Sequence, residues 1–562
     1  MKNQPSTKLS AVFLAVLISM ATLSGNGWAQ VPSTAEPGVI LKGLQEEKRA
    51  PSRLEDTIVV PKEEAGAGLS TEKVFVLKSV VLDGTKAYRG DDLSSIYKDM
   101  IGQKVSFADL NTIAQRMTKK YREDGYIFSR AVLPPQKVMD GVVHLSAVEG
   151  RIGSVKVVGK FQDRTGLISD LANKIRTSGV ANTKEIERYL LLIDDLPGIT
   201  AKSFIKPSAT QGAGDMIIDV EEDSFEASAS ADNRGSDYIG PYKGTLVAAF
   251  NSALGLHDRT TVRGIAASQA EELKFAEITH EEQIGSEGAK VKARAAVTNS
   301  DPGGNISSDR IEGDSKLFDL EGTYPLVRGR QYNVNLLAGL GVLNSETEVA
   351  DVLVANDRVR SVRAGAHVDF TDSFRGVNQV DITAAHGLDI FGATDDGVGR
   401  SRAAGEHVFL KGTLTATRIQ DLFDLWSLML SGSGQTSRDS LLSSEQFTVG
   451  GPSFGRAYDS GEIAGDTGWA GVAELRYGGP VNNEFIQSYQ AYAFIDHGRV
   501  YTKTPAVGEQ SEASASSAGV GTRFNVVHDY SGYVELDKPL NRNVGSEGNK
   551  NYRLFFSILK RF

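Results

Sequence analysis

The residues of this chain that could do chemistry do not assemble into a catalyst. Eight histidines are scattered without metal-ligand spacing, and cysteine is absent, which removes disulfides and thiolate metal sites. Gly303-Gly304 and Gly450-Gly451 are turn glycines rather than phosphate cradles. The adjacent carboxylates Asp194-Asp195 end an amphipathic helical pattern and read as a solvated face. No nucleophile stands beside a base, so the chain reads as a non-enzyme without cofactors or metals. What remains is electrostatic. Arg456 lies in a glycine-rich stretch that opens at Glu445 and runs to Gly468, and in Tyr492–Gly498 the residues Phe494 and Asp496 share one face of a strand. Glu474 belongs to a third such face, with Val472 and Arg476. Arginine offers a planar fork that a carboxylate grips in two places, which is a chemistry of positioning rather than of turnover.

The elements that must position these groups have the period of strands. In Tyr552–Phe562, Tyr552, Leu554, Phe556, Ile558 and Phe562 form an apolar face, while Arg553, Ser557 and Arg561 lie on the other. Such alternation suits a strand with lipid on one side and a polar lumen on the other. Tyr332, Leu336 and Leu340 alternate in the same way with Asn333, Asn335, Gly339 and Gly341. So do Val408, Leu410 and Leu414 with Lys411, Thr413 and Thr415, and Trp469, Ala473, Leu475 and Tyr477 with Val472, Glu474 and Arg476. About 340 residues, at roughly twenty per strand and turn, predict a membrane all-β barrel of about sixteen antiparallel strands over residues 224–562.

The other end of the chain is differently built. Lys2 and Lys8 precede an apolar run from Leu9 to Leu23 and then Gly27-Trp28-Ala29, the pattern of a signal peptide (residues 1–29) cleaved after Ala29. The run is too short for a stable helical span. Residues 30–72 are a leader: Pro37–Arg49 can form three helical turns with Ile40, Leu41 and Leu44 on one side, followed by a linker rich in proline, glycine and charge. A helix this short is marginal in water and needs something to dock against.

Two compact α+β units follow, over residues 73–149 and 150–223. The first has a strand at 75–82, a helix from about Asp92 to Met100, and a second helix opening on the capping box Ser106 and Asp109. Its stripe is Phe107, Leu110, Ile113, Ala114, Met117 and Tyr121. Strands at 126–133 and 142–148 complete it. The second unit repeats the order, with helices near 167–175 and from a cap at Thr183, the latter turning Ile186, Leu190 and Ile193 inward. Units of this size fit protein-binding modules. The net charge of −10 argues against a nucleic-acid partner.

Several stretches together resemble the outer-membrane transporters of two-partner secretion, a branch of the superfamily that joins POTRA modules to a barrel. Arg130–Gln136, Gly141 and Val148-Glu149-Gly150-Arg151-Ile152 are similar to the passage between its two POTRA domains, and Asp195-Leu196-Pro197-Gly198-Ile199 to the end of the second. Asp232-Asn233-Arg234-Gly235 with Gly240, and Leu254–Arg259, resemble its early barrel strands. The stretch Gly455-Arg456-Ala457-Tyr458 resembles the superfamily loop that folds back into the barrel, with the arginine and the aromatic kept and alanine in place of glycine.

The resemblance implies a leader helix acting as a plug, and a transport or gating loop of Gly455, Arg456, Ala457 and Tyr458. It also implies lumen partners Phe494 and Asp496, with Asp496 gripping the Arg456 guanidinium. Glu474 is a second candidate partner. In a wet lumen that pair should add about 1 kcal/mol or less, its role being to position the loop. Phe562 resembles the address that barrels present to the barrel-assembly machinery.

The expected function is a pore in the cell outer membrane, with its POTRA domains in the periplasm and its barrel in outer-membrane lipid. The POTRA domains would recognise a large, unfolded, secreted exoprotein, which would thread outward without nucleotide hydrolysis, driven by its own folding outside. A barrel-assembly insertase and a passive outer-membrane porin are the alternatives. The insertase branch typically has a longer POTRA series, and a plain porin has neither POTRA modules nor a leader helix.

Overall fold

The computed structural model describes residues 31–45, 70–177, 179–210, 212–394, 399–481, 483–506 and 509–562; the signal-peptide pattern and most of the leader linker lie outside them. Sixteen antiparallel strands close into one barrel. The first four are β1 (Phe225–Asp232), β2 (Lys243–Asn251), β3 (Arg259–Ala267) and β4 (Lys274–Ile284). Then come β5 (Ala289–Ser300), β6 (Ile311–Arg328), β7 (Tyr332–Val349) and β8 (Val352–Thr371). The far wall is β9 (Gly376–Gly387), β10 (Leu410–Phe423), β11 (Trp426–Ser437) and β12 (Thr467–Pro480). The last four are β13 (Ile486–Tyr501), β14 (Glu512–Val526), β15 (Tyr530–Pro539) and β16 (Arg553–Arg561).

The period of two sorts the side chains between two solvents. Leu246, Ile278, Leu320, Leu340, Leu414, Trp469, Leu475, Ile495, Val520, Leu536, Leu554 and Ile558 point outward and are exposed. Their neighbours in sequence, among them Asp319, Glu474, Asp496, Glu535 and Asp537, are buried in the lumen. Only a closed sheet satisfies every strand's backbone in lipid. Among the described residues no helix is long and apolar enough to cross a membrane.

The two α+β units stand at the barrel end where β1 begins. In the first, strand 79–83 runs parallel to 142–148, which pairs antiparallel with 130–132. Helix α2 (Phe107–Glu123) carries the Ser106–Asp109 capping box, with the Asp109 N–H donating to Ser106 Oγ at 3.1 Å. The segment expected as a helix near 92–100 forms 3-10 turns instead, Gly90–Ile96 and Lys98–Met100. Asp92, Ser94 and Ser95 favour caps and turns over helix interiors, and short 3-10 pieces absorb them.

In the second unit, strand 151–160 runs parallel to 213–222, which pairs antiparallel with 199–207. Helices α3 (Leu167–Thr177) and α4 (Thr183–Asp194) cover this sheet. The cap of α4 is Asn182, which accepts from the Lys184 N–H at 2.9 Å, not Thr183. The Thr183 N–H donates instead to Gly125 O at the end of α2, at 2.8 Å, and its hydroxyl does the same, so the cap region ties one unit to the other.

The second unit also grips the barrel rim. Arg328 holds the Asp195 carboxylate with two donors at 2.7 Å. Lys290 reaches the Asp195 carbonyl at 3.2 Å, and Arg188 reaches Pro325 O at 3.1 Å.

Candidate functional site

Among the described residues, two elements occupy the lumen. The first is helix α1 (Pro37–Gly43), opened by proline at its first position, where the missing N–H costs nothing. It is shorter than the three turns expected, and residues 46–49 of that expectation lie outside the described residues. Ala35, Ile40, Leu41 and Leu44 are buried in an apolar cluster with Phe275, Ala296, Leu343, Val359, Ala385, Phe409 and Leu442. Those partners lie on the inner wall and on loops at the end of the barrel away from the α+β units. Among the described residues few polar bonds hold the helix. Ser33 donates to Gly461 O at 2.7 Å, Lys42 to Gln446 O, and Arg263 to Leu44 O at 2.7 Å.

The second element is the connection between β11 and β12, which folds back inside the barrel rather than outward. A short hairpin, Phe447–Val449 with Ile463–Gly465, packs Phe447, Val449, Tyr458 and Ile463 against Ala470, Val500, Ala515 and Val544. Gly450 permits the turn, since a Cβ there would fall 2.1 Å from Asp459 O. Gly455 holds φ near 74°, a left-handed conformation that glycine adopts without a steric cost. Ala457 is fully buried and does not have a positive φ. The backbone here therefore has no need of glycine at that position.

At the tip, both sides of the backbone are held by side chains of the wall. The Arg456 N–H donates to Asp496 Oδ2 at 3.0 Å, and Arg456 O accepts from Arg234 at 2.7 Å. The Ala457 N–H donates to Ser517 Oγ at 3.3 Å, and Ala457 O accepts from Arg553 at 3.0 Å. Tyr458, 2% exposed, donates its hydroxyl to Ser516 O at 3.0 Å. Asp496 also takes the N–H and hydroxyl of Ser517, at 3.1 and 2.5 Å.

The guanidinium of Arg456 does not pair with Asp496 as expected. It lies over the Phe494 ring, 4.4 Å from its centre. It donates to Glu474 at 2.5 Å and stands 3.5 Å from Glu535. Register explains the shift. Asp496 faces Val472 across the β12–β13 ladder, whereas Phe494 faces Glu474. The backbone amide docks at the level of Asp496, and the long side chain runs one inward step along the wall before it ends. Glu474, fully buried, also accepts from Arg476 at 2.6 Å and Arg523 at 2.7 and 3.0 Å. Glu535 takes Arg234 and the Tyr492 hydroxyl, the latter at 2.7 Å. The site is buried rather than wet, because Arg456 is only 6% exposed. The expectation of a weak, screened pair is thereby corrected.

Arg234, Arg523, Arg553, Ser517 and Glu535 belong to the site, although the sequence offers Arg234 only as part of an early-barrel motif and Arg553 only as part of a polar strand face. Their signal was the alternation itself. Glu535 sits between exposed Val534 and Leu536, and Arg553 precedes exposed Leu554, so each is assigned to the lumen face. Which of them would meet at the loop depends on barrel register. At the chain terminus Phe562 is 74% exposed, and its N–H donates to Ala227 O at 2.9 Å.

Comparison with known proteins matches residues 215–524 to "Haemolysin secretion/activation protein ShlB/FhaC/HecB" and residues 75–150 to "POTRA domain, ShlB-type". The heme/hemopexin transporter protein HuxB of Haemophilus influenzae (strain 86-028NP) is 23% identical over 482 residues, covering 84% of each chain. The outer membrane transporter CdiB of Escherichia coli is 23% identical over 494 residues, 86% of this chain and 82% of that one. A solved structure of CdiB from Escherichia coli superposes with a TM-score of 0.73 at 20% identity over all of both chains.

Proposed function

The chain belongs to the haemolysin secretion/activation protein family, and we propose that it is the pore through which a secreted partner protein leaves the cell. It is an outer-membrane transporter of the two-partner secretion type, with its barrel in the membrane and its POTRA region in the periplasm. One observation carries the finer reading: among the described residues the lumen of the barrel holds two elements of opposite character, a lightly tethered helix and a firmly bonded loop. A passive porin would gain nothing from such an obstruction.

In this reading the division of the chain is that expected from sequence, at 1–29, 30–72, 73–149, 150–223 and 224–562. The exoprotein arrives unfolded and is bound by the POTRA domains as an extended segment. It displaces α1 from the lumen and threads past the loop, whose Gly455, Arg456, Ala457 and Tyr458 are kept in place by Glu474, Phe494 and Asp496. Folding of the cargo outside supplies the direction, with no chemical step and no nucleotide. Phe562 is the strand-end address for the barrel-assembly machinery, and outer-membrane lipid is the partner of the exposed apolar face.

Secretion of the partner exoprotein in a deletion strain, complemented by this chain or by a version with residues 73–222 exchanged for those of an insertase, tests the reading. Secretion should be restored only by the first, while both fold into heat-modifiable barrels. Secretion by the exchanged chain would place recognition elsewhere, and barrel-assembly activity by the intact chain would favour the insertase alternative.

A further inference from the structure

The barrel closes where its last strand meets its first, and this seam is its thinnest ladder. Strands β16 and β1 share five register pairs, from Ser557↔Asp232 to Arg561↔Ser228, against eight for β15–β16 and eight for β1–β2. Toward the end away from the POTRA region the seam continues past these pairs. The Asn233 N–H donates to Phe556 O at 3.3 Å, and its side chain adds two more bonds, donating to Leu554 O at 2.8 Å and accepting from the Phe556 N–H at 2.7 Å. Just beyond, Arg234 follows β1 and Arg553 opens β16. Both guanidiniums lie against the Phe555 ring, at 3.8 and 4.9 Å.

These two arginines reach from opposite sides of the seam to neighbouring carbonyls of one segment. Arg234 donates to Arg456 O at 2.7 Å and Arg553 to Ala457 O at 3.0 Å. Arg553 also holds Asp459 at 2.8 Å, and Arg234 is itself backed by Glu535 and by Tyr533 Oη at 3.1 Å. We infer that the loop tip is the fastener of the barrel seam, with Arg234 and Arg553 as the positioning residues that join the first strand, the last strand and residues 456–457. The coupling runs both ways, because a bond that orders the loop against the seam orders the seam against the loop. While the tip stays in place it is the outer brace of the ladder, holding the barrel closed where it is least bonded.

Backbone hydrogen exchange on the intact, membrane-inserted barrel tests this locally. Replacing residues 453–459 by a glycine-serine linker of equal length should speed exchange of the 228–232 and 557–561 amides about tenfold or more, while the β7–β8 ladder keeps its wild-type rates. Arg553→Gln alone should move the same amides in the same direction, and adding it to the linker variant should do nothing further, since both remove one connection. Arg234→Lys, which keeps the charge beside Glu535 but loses the fork, should fall between. Unchanged seam exchange in the linker variant would overturn the inference. So would a uniform rise over all strands, since that is what a merely structural loss of stability produces.

Discussion

Helix α1 and the loop tip share one lumen, yet they are held in opposite ways. The helix buries Ile40, Leu41 and Leu44 in an apolar cluster and keeps few polar ties to the other described residues. The tip is bound through its backbone on both sides, by Asp496 and Ser517 on its N–H groups and by Arg234 and Arg553 on its carbonyls. Apolar contact is non-directional and can be exchanged for another apolar segment with little loss. A buried, charge-assisted network is directional, and removing one member strands the others. The difference teaches which element can leave and which must stay: the helix is a removable occupant, and the tip is a fixture.

The largest effect that would sharpen this comparison is at Glu474. It is fully buried and holds Arg456, Arg476 and Arg523, so Glu474→Gln strips Arg476 and Arg523 of their paired carboxylate and leaves Arg456 with Glu535 alone. A loss of about 3–5 kcal/mol follows, to be read as a lower unfolding midpoint in detergent together with loss of secretion.

Arg456→Ala should be milder for stability, because Glu474 keeps two arginines and the tip keeps its backbone bonds. Loss of a charged hydrogen bond of about 1.5–3 kcal/mol should reduce correctly placed loop, and with it secretion, roughly tenfold to a hundredfold, with the barrel still inserted. If secretion were normal in this variant, the tip would be no fixture.

Deleting residues 31–45 reverses the pattern. Single-channel conductance or antibiotic leakage should rise, while the unfolding midpoint of the barrel stays close to that of the intact chain. Unchanged conductance would mean that α1 does not obstruct the pore.

The smallest effect lies outside both regions and sets their scale. Removing the cap of α2 by Ser106→Ala should cost about 1 kcal/mol in denaturation of the first POTRA module. The same cap is pH-dependent. The backbone N–H and hydroxyl of Ser106 hold the Asp109 carboxyl below its usual value. Its folded-state pKa is therefore depressed, so the stabilisation is present above the unfolded value near pH 4 and is lost as pH falls through the folded one. The gap between wild type and variant should close in acid.

Much of this architecture was legible in sequence because a lipid-facing strand states its two solvents in alternate residues. Leu554 and Ile558 outward, with Arg553 and Ser557 on the other face, needed no knowledge of neighbours. The sixteen-strand barrel and the helical stripe of α2 followed from the same kind of local rule. The failures were non-local. Resemblance of motifs pairs Arg456 with Asp496, yet the choice among Asp496, Glu474 and Glu535 depends on which rungs of β12, β13 and β15 lie level with the loop. The residue type of Thr183 suits a helix cap, but Gly125 of the other module claims it. Arg234 and Arg553 stand more than three hundred residues apart in sequence, and only closure of the barrel brings them to one segment.

The contrast between removable helix and fixed loop can be tested with one disulfide. A Cβ on Gly43 would stand 3.5 Å from Ser460 Cβ, within the span a disulfide needs, and the chain has no cysteine of its own. Gly43→Cys with Ser460→Cys therefore ties α1 to the loop under oxidising conditions and frees it when a thiol reductant is added. Secretion of the partner exoprotein, measured in both states, should be lost in the oxidised protein and recover to wild type on reduction. Equal secretion in the two states would show that the helix never leaves the lumen during transport, and the account would fail.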